Sequence, residues 1–228
     1  GRTLGSLDPA LSGIRSDEAR TLILAGVDRT ADYQDDRYAQ EYIERLKPFI
    51  AFAECQGDVG GQLLSEVARQ LALGMTYEDT VRVAELKIRG SRFDRVRAEV
   101  GADAGQIVEI VEFMHPRVEE ITDIMPTAMG RWLLRSKPAR TLITRLTSRG
   151  RMVRTTSLRG FLLLYCVVSL KPFRRGSLRH DREMRFLTEW LEAVRRAAGI
   201  DVHLAIGLAH LRNLVKGYGD TCERGRSR

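Results

Sequence analysis

The sequence predicts an all-α protein, a single multi-helix domain with orthogonal or bundle-like packing and no significant sheet. Three observations carry that prediction. Apolar residues recur at steps of three and four over most of the chain, which is the period of a helix with one buried face. No convincing run alternates polar and apolar residues, as a half-buried strand would. Gly and Pro fall between the periodic stretches, where turns are needed.

Residues 1–15 read as a linker from an N-terminal domain not included in the chain, and residues 16–228 as the helical domain. Ser16 is placed to cap the first helix, with Asp17 and Glu18 in its first turn. Lys47-Pro48 and Met125-Pro126 are expected breaks, and Gly57 to Gly61, Gly90-Ser91 and Gly101 to Gly105 expected loops. Leu64, Val67, Leu71 and Met75 mark one inward stripe, and Val81, Ala84 and Ile88 the next. Thr76 and Asp79 are spaced as a capping pair for a helix running to Arg89.

Ile107, Val111, Met114, Val118, Ile121 and Met125 predict a further helix, which Pro116 kinks or splits. Ser157 can cap the apolar segment Phe161 to Leu170, and Phe186, Trp190 and Val194 mark another amphipathic helix. The last stripe is Leu204, Leu208, Leu211 and Val215. It runs into Lys216-Gly217-Tyr218-Gly219-Asp220-Thr221, a specified stop in which Gly217 can take the left-handed cap conformation.

Composition narrows the classes. With 228 residues and 43% hydrophobic content the chain can bury a sizeable core. The opening Gly1-Arg2-Thr3 lacks an initiator Met and reads as the middle of a longer polypeptide. Phe161 to Leu170 is about half the ~20 residues of a membrane span. Cys55, Cys166 and Cys222 are too scattered for a disulfide framework or a cluster, and Cys166 reads as a small core residue. A reducing, cytoplasmic setting is expected.

Charge is segregated along the chain. Residues 1–129 carry 15 Lys/Arg against 23 Asp/Glu, a net of −8, and residues 130–196 carry 17 against 4, a net of +13. One reading is that the two halves pack against each other or form solvated faces. The other is a field that steers an oppositely charged partner.

Motifs that carry chemistry are incomplete. There is no P-loop, no pair of Cys-x-x-Cys elements, and Gly217-Tyr218-Gly219 lacks the third glycine of a dinucleotide fingerprint. Glu112 and His115 have the Glu-x-x-His spacing of a di-iron bundle helix, but the nearest second pair, His180 and Glu183, runs in the opposite order. A structural His beside Pro116 is the preferred reading, and no catalytic, cofactor or metal residue is assigned. Tyr77-Glu78-Asp79 with Lys87 reads as structural, its acids directed at Arg82 or Lys87.

Two clusters are candidate partner or ligand contacts. Lys216, Tyr218, Asp220 and Arg224 mount polar groups on a glycine-rich loop, with terminus anchoring as the alternative. Thr155 and Arg159 suit an anion, with a simple helix N-terminus as the alternative.

Several stretches in order resemble one family. They are Asp32-Tyr33-Gln34-Asp35 with Tyr38-Ala39 and Tyr42; Val67-Ala68-Arg69, Leu71-Ala72-Leu73, Met75 and Tyr77-Glu78-Asp79-Thr80; and Val83-Ala84-Glu85-Leu86-Lys87. Glu112-Phe113-Met114-His115-Pro116-Arg117, Thr155-Thr156-Ser157-Leu158-Arg159-Gly160-Phe161 and the Lys216 to Gly225 tail follow. Together they resemble the helical C-terminal region of the fused bacterial indolepyruvate oxidoreductase beta-type subunits, a region of unassigned role.

The resemblance implies a complex that oxidatively decarboxylates arylpyruvates to aryl-acetyl-CoA with coenzyme A and ferredoxin. Thiamine diphosphate and iron–sulfur clusters are implied in the alpha-type partner subunit; nothing here resembles the Gly-Asp-Gly plus Asn signature that binds thiamine diphosphate. The chain is then part of an oxidoreductase without being catalytic alone. Its implied partners are the N-terminal domain of its own polypeptide, the alpha-type subunit and ferredoxin. The rival readings are a freestanding helical module for an anionic small molecule, and a nucleic-acid binder using Arg131 through Arg196.

Overall fold

A computed structural model describes residues 13–103, 105–114, 123–138, 141 and 151–214. In chain order these form α1 (Asp17–Tyr33), α2 (Asp36–Met75), α3 (Thr80–Ile88), α4 (Gly90–Glu99), β1 (Val111–Met114) and α5 (Thr127–Arg135). There follow β2 (Arg151–Arg154), α6 (Leu158–Val168), a 3-10 turn (Lys171–Gly176), α7 (Leu178–Ala198), α8 (Val202–Leu211) and a last 3-10 turn (Arg212–Leu214). The protein is predominantly all-α, with one small two-stranded sheet among the described residues. Among the described residues no helix is long and apolar enough to cross a membrane. The chain divides into two compact units, one from residues up to 77 and from 183 on, the other from residues 78–182.

The first unit begins as its cap predicts. The Ser16 hydroxyl accepts from the Ala19 amide at 3.2 Å, and Asp17 and Glu18 sit in the positive first turn. Asp35 caps α2 in the same way, accepting from the Tyr38 amide at 2.8 Å. The 40 residues of α2 are not one rod. The Tyr38 hydroxyl donates to the Met75 carbonyl at 2.8 Å, whereas a straight helix would separate them by about 55 Å. The chain reverses at Gly57, whose φ of 62° only glycine adopts readily. The loop expected over Gly57 to Gly61 is thus confined to Gly57, and helix resumes at once.

Pro48 does not break α2 as expected. It lies inside the first arm between buried Leu46, Phe49 and Ile50, whose packing offsets the one backbone hydrogen bond proline cannot make. The arms of α2, α1, α8 and residues 183–198 of α7 enclose one apolar core. Ile23, Tyr33, Tyr42, Leu64, Val67, Leu71, Met75, Leu187 and Val194 are among its members. Tyr42 donates to the Ala68 carbonyl at 3.0 Å and lies where a Cβ on Gly26 would sit 2.3 Å from its hydroxyl. α1 and α2 approach this closely because residue 26 has no side chain.

The inward face of α8 differs from the expected leucine stripe. Leu204 and Leu211 are more than half exposed, while Ala205 and Ala209 are fully buried. Small residues let α8 sit close against α2, so backbone proximity rather than side-chain bulk chose the face. Val215, the last residue of that stripe, lies outside the described residues.

In the second unit α6 packs on α3, and the break at Pro126 holds, with α5 beginning behind it. The long helix expected from Ile107 to Met125 is not formed over residues 111–114. They make a strand, antiparallel to β2, with Val111 opposite Arg154 and Phe113 opposite Met152. Val-Glu-Phe-Met satisfies a period of two as well as a helical period, and a short apolar run cannot decide between them. Pairing with Arg-Met-Val-Arg, 40 residues later, does. The stripe residues Val118 and Ile121, with Pro116, lie outside the described residues.

Candidate functional site

The candidate residues fall in different places. Lys216, Tyr218, Asp220 and Arg224 lie outside the described residues. Thr155 and Arg159 flank the N-terminus of α6 but do not converge. Thr155 is buried, its amide and hydroxyl both donating to the Ile110 carbonyl, at 2.9 and 3.2 Å, while Arg159 is exposed. Ser157 caps α6: its hydroxyl accepts from the Gly160 amide at 3.2 Å and donates to the Arg154 carbonyl at 2.7 Å. Gly160 is required there, since a Cβ would lie 2.0 Å from that carbonyl oxygen. An open pocket of about 460 Å³ adjoins this turn, lined by Phe93, Thr155, Thr156, Ser157, Leu158 and Phe161.

Glu112 sits on a strand, where positions three apart face opposite sides. The premise that Glu112 and His115 share one helix face therefore fails, and His115 lies outside the described residues. Glu112 is instead gripped by Lys87 and Arg92. Burial alone would raise its pKa, but the hydrogen bonds and charges of Lys87 and Arg92 outweigh that and hold it below the ordinary carboxylate value.

Asp79 is the N-cap of α3, accepting from the Arg82 amide at 2.6 Å, and Thr76 closes α2. The expected capping pair is thus replaced by a single capping aspartate. The same carboxylate takes the Arg174 guanidinium through Nε–Oδ2 at 2.8 Å and NH2–Oδ1 at 3.2 Å, with both residues buried. One turn on, Glu85 holds Arg82 at 2.8 Å, Arg89 at 3.1 Å and Lys171 at 3.2 Å. Burial pushes its pKa up, and Arg82 and Lys171 together push it further down. Glu109 pairs with Arg154 at 3.0 Å, and Asp123 with Arg182 at 3.0 Å and Arg179 at 3.7 Å.

These pairs link the acidic and basic parts of the sequence. Asp79, Glu85, Glu109 and Asp123 come from the acidic part of the sequence, and Arg174, Lys171, Arg154, Arg179 and Arg182 from the basic part. Sequence reasoning missed Arg174 because its partner lies 95 residues away and no local spacing announces it. Cys166, expected in the core, is exposed on α6, as is Cys55 on α2. The cations around Glu85 and Glu112 favour the charged form of each carboxylate.

Fold and site together define a helical protein that carries long-range ion pairs. By sequence the chain belongs to a family of unknown function, DUF6537, whose model matches residues 19–228. Among curated proteins and solved structures, nothing matches it significantly.

Proposed function

We propose that the chain is the helical, non-catalytic C-terminal part of an indolepyruvate oxidoreductase beta-type subunit, and that it supports assembly of that complex. The assembled enzyme, on this reading, oxidatively decarboxylates arylpyruvates to aryl-acetyl-CoA and passes the electrons to ferredoxin. Thiamine diphosphate and the iron–sulfur clusters belong to the alpha-type partner; Cys55, Cys166 and Cys222 lack the spacing that ligates a cluster.

The observation that carries the reading is where the resembling residues go. Tyr33, Tyr38, Tyr42, Val67, Leu71, Met75 and Tyr77 are buried, Tyr33 and Tyr77 edge to face at 5.6 Å. Asp79 and Ser157 cap helices, and Glu85 and Glu112 clamp cations. Among the described residues the resembling stretches thus supply core and capping positions together with open ones, Leu73, Leu86, Phe113, Leu158 and Arg159, and none of them forms a catalytic set, which supports the assembly reading.

The test uses the full-length polypeptide with and without residues 16–228, co-expressed with the alpha-type subunit. Loss of co-purification and of arylpyruvate-dependent ferredoxin reduction is expected on deletion. Full assembly and turnover without the segment would sink the proposal. The second reading, a module for an anionic small molecule, has the pocket at the α6 N-terminus in its favour. On that reading inorganic phosphate shifts the amide resonances of Leu158 and Arg159; on the assembly reading they stay put.

A further inference from the structure

We draw no further inference here: the strongest candidate, the exposed apolar face of α6 formed by Leu158, Phe161, Leu162 and Tyr165, carries nothing because nothing in the structure shows what covers it.

Discussion

Replacing Asp79 by Asn separates two roles that one carboxylate plays. Asn is as good an N-cap as Asp, so the bond from the Arg82 amide survives and α3 keeps its start. The charge facing Arg174 is lost, and Arg174 is 3% exposed. Removing one member of a buried ion pair costs up to about 3–5 kcal/mol. Asp79→Ala removes the cap as well and adds about 1 kcal/mol.

Amide hydrogen exchange along α3 and α6 reads that unit by itself. At 1.4 kcal/mol per factor of ten, Asp79→Asn should speed exchange of the most protected amides by about two to three orders of magnitude. Adding Arg174→Met to Asp79→Asn removes the buried charge and should recover most of the loss, because apolar replacement of a whole buried pair is often neutral. If Asp79→Asn alone changes protection by less than a factor of three, the pair does not hold this unit together and the reasoning fails.

Other expectations follow from the same packing. Gly26→Ala raises helix propensity by about 1 kcal/mol, yet its Cβ would lie 2.3 Å from the Tyr42 hydroxyl. Overpacking of about 1–3 kcal/mol should win, so urea denaturation should show net loss, and a gain would refute the close approach. Glu112 titrates below its ordinary value in the folded protein, so its contribution is complete above the ordinary carboxylate pKa and disappears as pH falls through the depressed one. Glu112→Gln should therefore cost about 1.5–3 kcal/mol at neutral pH and progressively less as pH falls through the depressed value, flattening the acid limb of a stability–pH curve. Native Cys166 should react with a maleimide in the free chain at a rate close to that of exposed Cys55; strong protection of Cys166 alone would mean that α6 is covered.

The helical class was legible because most of the chain repeats one local instruction. Ser16, Asp79 and Ser157 cap where short-range chemistry places a cap, and Leu64, Val67, Leu71 and Met75 face inward as their spacing dictates. What was misread depended on distant partners. Val111 to Met114 becomes a strand through β2, and Asp79 is ion-paired with distant Arg174. Pro48 is absorbed by packing around it, which no local rule supplies. Cys166 was assigned to the core on hydrophobicity alone, and hydrophobicity does not distinguish a face turned inward from one left open. Of the candidate contacts, Thr155 fastens the β2–α6 turn to Ile110, while Arg159 stands on the open surface.

The central claim, a scaffold that assembles the enzyme without taking part in its chemistry, is tested most directly by graded destabilisation. Asp79→Asn, Gly26→Ala and Glu112→Gln would be placed in the full-length polypeptide, and co-purified alpha-type subunit and turnover per assembled complex measured for each. The account predicts that the amount of complex falls in step with the folded fraction while turnover per complex stays constant. Turnover per complex that collapses while assembly stays intact would contradict it and assign these residues to the reaction itself.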